Sequence, residues 1–134
     1  MMEDEPRRRF RLPWLRVAAL AAVAAIALAM AIALRFGIVE PATIAARCDG
    51  GGLSPLCILR RVVIGIFGWN GFGLAALGLA VLVLLRPSTL LIALTLVAGI
   101  FGLVLYNTTI AALAVSLLPL ALARPHPAPD FGPE

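Results

Sequence analysis

VAALAAVAAIALAMAIAL, from Val17 to Leu34, is eighteen residues without a charged or polar side chain. As a helix such a run rises about 27 Å, close to the ~30 Å hydrocarbon layer of a bilayer. Working outward, residues 62–85 hold Asn70 as the one polar side chain besides Trp69, and residues 88–123 are apolar over most of their length. None of these runs shows the polar/apolar alternation of barrel strands. In lipid that leaves helices, which satisfy their own backbone.

The expected fold class is therefore an all-α membrane protein, a compact bundle of four transmembrane helices, with three as the alternative. The first span covers residues 14–36, between Trp14 and Phe36 at the two interfaces, and Pro13 suits a helix start. The second covers residues 61–85 and stops at Arg86-Pro87, because the residue before proline is pushed out of the helical region. Residues 88–123 would make one helix of about 54 Å, too long for a single crossing. Tyr106-Asn107-Thr108-Thr109 favours a turn or cap near its middle, which divides it into spans 89–106 and 109–123. Pro119 makes the last span short or kinked. On the three-span alternative residues 88–123 form one bent crossing. The membrane domain then covers residues 13–123, with a cytoplasmic segment 1–12, an outer loop 37–60 and a disordered Pro-rich tail 124–134.

Composition agrees with that reading. Of 134 residues, 62% are hydrophobic and 13% charged, against the ~25% charge of an ordinary soluble domain. All eleven basic residues are arginine, the usage of a GC-rich bacterial genome. The net charge of +4 is read as topology charge at span ends, not as a nucleic-acid footprint. With four spans and the N-terminus inside, seven arginines face the cytoplasm and four the outside. Both termini are then cytoplasmic in a bacterial inner membrane. Arg7-Arg8-Arg9-Phe10 loosely matches a twin-arginine signal, but the first apolar run exceeds a signal-peptide core and no soluble domain follows a cleavage site.

Cys48 and Cys57 flank the Gly-rich stretch Asp49-Gly50-Gly51-Gly52. In an oxidising compartment this spacing predicts a structural disulfide rather than a redox centre, which would normally use Cys-x-x-Cys. In the second run Gly68, Gly71, Ala75 and Gly78 step by three, four and three and form a small-residue seam for close helix packing. Ala21, Ala25, Ala29 and Ala33 make a parallel ladder in the first run, and Ala98 and Gly102 a shorter one in the third. Asn70 is the most interior polar group and is expected to bond another helix.

No Asp, Glu, Lys, Arg or His lies deep in any run, and no nucleophile triad, phosphate loop or zinc spacing is present. The expectation is no enzyme, no catalytic residues, no metal and no cofactor. The function expected is an accessory or scaffold subunit of a membrane complex. The alternatives are a small oligomeric channel or transporter and, third, a thiol redox membrane protein. Expected partners are the lipid bilayer and another membrane protein or a second copy, with no nucleic acid.

Four spans in 134 residues resemble two small-transporter families in outline. Small multidrug resistance transporters carry a Glu in their first span, which residues 17–34 do not. Fluoride channels carry a Gly-, Thr-, Ser- and Phe-rich motif that residues 88–106 do not contain. Cys48-Asp49, Cys57, Arg60 and the run Leu103-Val104-Leu105-Tyr106-Asn107 more nearly resemble uncharacterised small multi-pass inner-membrane proteins of Proteobacteria. That resemblance covers residues 17–123 and implies no activity.

Overall fold

The computed structural model describes residues 12–124, and they form α1 (Trp14–Leu34), a π-helical turn (Arg35–Val39), α2 (Ala42–Asp49), α3 (Pro55–Gly68), α4 (Gly71–Leu85), α5 (Thr89–Val104) and α6 (Thr108–Ala123). The helix ends follow local chemistry. Ser54 caps α3 by accepting from the Cys57 amide at 3.3 Å, with Pro55 in the first turn. Ser88 caps α5 by accepting from the Leu91 amide at 3.1 Å. Arg86, ahead of Pro87, is extended and ends α4.

Trp69 and Asn70 divide the second apolar run. Asn70 adopts the left-handed region, φ 56°, and Gly71 follows against Ile66, where a Cβ would stand 2.8 Å from the Ile66 carbonyl oxygen. That contact admits only glycine, and α3 and α4 meet there at a 60° bend.

The core lies among α4, α5 and α6, with α1 laid along α5. Arg16 Nη1 donates to Thr89 Oγ1 at one end of that pair, and Arg35 Nη1 donates to the Val104 carbonyl at the other, so the two helices run parallel. At the tightest crossing a Cβ on Gly102 would stand 2.8 Å from Ala111 Cβ, one on Gly73 3.0 Å from Ile110 Cβ, and one on Gly99 2.7 Å from Val115 Cγ2. Ala76, Ala80 and Ala114 continue the contact, and Leu20, Val83, Ile92, Leu118 and Ala121 form a larger apolar cluster toward the far end. Thr95 is fully buried and donates to the Leu91 carbonyl at 2.7 Å, so its hydroxyl has a partner inside its own helix.

Three expectations are corrected here. First, among the described residues one helix is long and apolar enough to cross a membrane: residues Trp14–Val39, 26 in all. The count reaches two only if the bent α3–α4 pair is one span. Helices α5 and α6 have 16 residues each, about 24 Å of rise. The all-α content stands, but the four-span or three-span membrane bundle does not. The inner-membrane placement with both termini inside, the bilayer as partner, and the scaffold, channel and redox-membrane-protein readings fall with it. Second, the seam Gly68, Gly71, Ala75 and Gly78 is not the face on which α4 packs within the chain. Gly68, Ala75 and Gly78 are exposed, and α4 buries Gly73, Ala76, Ala80 and Val83 instead. The Ala21–Ala33 ladder is likewise exposed, while α1 buries Leu20, Ala27 and Ala31. Third, Asn70 is an exposed residue at a helix break, not an interior polar contact. The expected N-terminal segment and signal-like arginines before residue 12, and nearly all of the Pro-rich tail, lie outside the described residues.

Many large apolar side chains, Trp14, Leu53 and Trp69 among them, remain on the exterior. Apolar composition thus does not itself mark the core.

The crossing predicts a contrast between two glycines. Gly102→Ala should destabilise the fold by about 1–3 kcal/mol through overpacking against Ala111. Gly78→Ala, in open space on an exposed helical face, should be neutral or stabilise by up to about 1 kcal/mol. Thermal unfolding of the two variants against the parent checks both signs.

Candidate functional site

Two polar constructions stand out on this apolar framework. The first is built on α2 and α3. Cys48 and Cys57 are joined by a disulfide, with Cα atoms 5.2 Å apart. Gly51, at φ 87°, makes the reversal between them in a conformation that other residues rarely adopt. Arg60 follows Cys57 by three residues and so lies on the same face of α3. Its Nη1 stands 3.6 Å from Asp49 Oδ1, and its Nε is buried with no hydrogen-bond partner. The Arg60 side chain is 16% exposed and that of Asp49 75%. A cavity of about 380 Å³ opens beside them, bounded by the disulfide, Asp49, Arg60, Arg61 and Ile64.

The second is a cluster where α1 ends and α5 ends. The π-helical turn, closed by the Glu40 amide donating to the Arg35 carbonyl at 2.9 Å, carries both Arg35 and Glu40 to Tyr106. Arg35 Nε donates to Glu40 Oε1 at 2.9 Å, and Nη2 to the Tyr106 hydroxyl at 2.9 Å. The Tyr106 hydroxyl donates in turn to Glu40 Oε1 at 2.7 Å. The guanidinium lies 4.2 Å from the Tyr106 ring centre and 5.3 Å from that of Phe36. Its bond to the Val104 carbonyl places a cation at the negative end of α5. The hydrogen bond from Tyr106, and then that from Arg35, hold the Glu40 carboxyl below the usual carboxylate range. The bond to Glu40 holds the Tyr106 phenol above its ordinary value.

The expected site residues divide between these places. Cys48 and Cys57 are together and frame the first cavity. Asn70 lies in the wall of a smaller cavity beside Tyr106 and Asn107. Gly68, Gly71, Ala75 and Gly78 line neither construction. Sequence reasoning missed the Arg35–Glu40–Tyr106 cluster and the role of Arg60, treating Arg35 and Arg60 as span-end charges. The signal available for Arg60 was its position one helical turn beyond a bridged cysteine. Among the described residues no group of three or more His, Cys, Asp or Glu could hold a metal ion.

No protein-family model matches the chain, and neither a curated protein nor a solved structure matches it. The resemblance to multi-pass inner-membrane proteins of Proteobacteria is corrected accordingly. It rested on Cys48-Asp49, Cys57, Arg60 and the run Leu103-Val104-Leu105-Tyr106-Asn107 in a chain expected to be multi-pass, whereas among the described residues the structure has one helix of spanning length and a packed α4–α5–α6 core.

Two outcomes follow from this geometry. Glu40 has a lowered pKa in the folded chain, so its stabilisation is present above the ordinary carboxylate value and is lost as pH falls through the lowered one. The melting temperature should fall over that acid range, and Glu40→Gln should flatten the fall. Replacing both Cys48 and Cys57 by Ser opens a ten-residue ring and should cost about 2.7 kcal/mol on a chain-entropy basis, with helical circular dichroism retained. Chemical denaturation of the double variant measures it.

Proposed function

We propose that this chain is a non-catalytic binding module whose site is the disulfide-framed arginine cavity, and that the cavity takes a small oxyanion. The observation that carries the reading is Arg60. Its guanidinium is largely withdrawn from water, and among the described residues its Nε has no hydrogen-bond partner and its one ion-pair neighbour, Asp49, is loosely placed at 3.6 Å. A guanidinium fork is suited to two oxygens of one ligand, and burial strengthens such charge-assisted bonds. Arg61 adds a second positive charge at the cavity, so that two cations face one carboxylate. The disulfide and the short α2–α3 connection hold the walls in register, which lowers the ordering cost of binding.

The cavity wall also supports a binding rather than an enzymatic role. Its two sulfurs are tied to each other and are buried, and no histidine lies among the described residues. A nucleophile with an adjacent base is the arrangement covalent catalysis requires.

Calorimetric titration of the full chain with inorganic phosphate tests the reading. Binding should saturate and weaken with added salt. Arg60→Gln should reduce affinity by roughly tenfold to a hundredfold, the equivalent of about 1.5–3 kcal/mol for a charged hydrogen bond. Absence of saturable binding, or equal affinity in Arg60→Gln, would contradict it.

A further inference from the structure

The disulfide-framed cavity holds charges of both signs. Cys57, Arg60, Arg61 and Ile64 follow one another at three- and four-residue steps along α3, so they form one wall. Asp49, the last residue of α2, belongs to another. Its contact with Arg60, at 3.6 Å, is longer than a hydrogen bond, and its side chain is largely exposed. The carboxylate is thus open to a donor from outside the chain, while it stands beside the guanidinium that would take a ligand's oxygens. A plain dianion on Arg60 would meet Asp49 as a like charge at short range. A ligand that carries its own cation next to the oxyanion offsets that repulsion and gives Asp49 a partner.

We propose that the ligand of this cavity is a phosphomonoester of a short amino alcohol, its phosphate on Arg60 and Arg61 and its ammonium on Asp49; this substrate class rests on the cavity taking an oxyanion. The charges balance. Two guanidiniums and one carboxylate line the cavity, a surplus of one positive charge. A phosphomonoester carries about −1.5 to −2 at pH 7, which one ammonium brings to about −1. The short distance between Asp49 and Arg60 calls for a ligand whose opposite charges lie close together, as a two-carbon link holds them. Ile64 and the disulfide give that link an apolar surface. Among the described residues no aromatic side chain lines the cavity, so a nucleotide base would find no stacking partner there. The phosphodiester of a lipid headgroup carries the same ammonium with less negative charge, and balances the cavity less well.

Calorimetric titration of the full chain with ethyl phosphate, phosphoethanolamine and glycerophosphoethanolamine tests the proposal, the last carrying the diester of a lipid headgroup. Phosphoethanolamine should bind about twofold to fivefold more tightly than ethyl phosphate, the range of a water-exposed ion pair. It should also bind more tightly than the diester. Asp49→Asn should weaken phosphoethanolamine severalfold and strengthen ethyl phosphate, because it removes an attraction for the first and a repulsion for the second. A purely structural role of Asp49 would move both ligands in the same direction. The comparison of ligands on the parent needs no variant. Saturable ethyl phosphate binding without preference for phosphoethanolamine, or an Asp49→Asn effect of one sign on both, would overturn the substrate class and leave the oxyanion reading standing. A diester bound as tightly as the monoester would overturn the assignment to a monoester. Absence of saturable binding by all three would overturn the oxyanion reading and the substrate class together.

Discussion

The backbone contact of α4, α5 and α6 at Gly73, Gly102 and Ala111 is the constraint on which the structure depends. The Ala111 methyl occupies the space where a side chain on Gly102 would begin, and Gly73 lies against the same point from α4. Helices brought that close gain dispersion contacts along their whole facing surfaces, which is why Ala76, Ala80 and Ala114 can be fully buried although each is small. The same approach fixes the α5–α6 turn against α4. Leu105, just before that turn, is fully buried, and the Asn107 backbone N–H donates to the Gly102 carbonyl at 2.8 Å. Tyr106 is thereby held at φ 71° and presented outward to Arg35 and Glu40. The core contact and the polar cluster are consequently parts of one arrangement.

Helix content and several helix ends were legible in the sequence, because they depend on nearest neighbours. Pro87 ends α4, and the Tyr106–Thr109 stretch separates α5 from α6, for reasons local to those residues. Helix length and packing face were not legible. The run 62–85 looks continuous in hydropathy, but the break is set by backbone conformation at Asn70 and by the Gly71–Ile66 contact. Small residues occur on more than one face of α4, so a three-and-four spacing fits both Gly68–Gly78 and Gly73–Val83. Only the neighbouring helices decide between them. Counting apolar residues therefore overstated the number of membrane-length helices and chose an exposed face as the seam.

The polar sites show the same division. The cysteine spacing around three glycines was readable as a ring. The cavity it frames was not, because it depends on Arg60 being folded back toward Asp49. The Arg35–Tyr106 bond joins residues 71 apart, and nothing in either local sequence points to the other. The π-helical turn that sets Arg35 and Glu40 side by side in space is also a feature of backbone geometry, seen at functional sites more often than elsewhere. Charge near the end of an apolar run was read as a topological marker, whereas in the fold it ties α1 to the end of α5.

The contact between α5 and α6 is open to direct measurement. Nuclear Overhauser spectroscopy of the full chain, with the alanine methyl groups labelled, reports whether the Ala111 methyl lies against the Gly102 α-protons. The account predicts a strong cross-peak between them, and a second from the Ala111 methyl to the Gly73 α-protons. Absence of both, with Ala111 instead showing contacts to Ala75 or Gly78, would contradict it by placing α6 on the other face of α4.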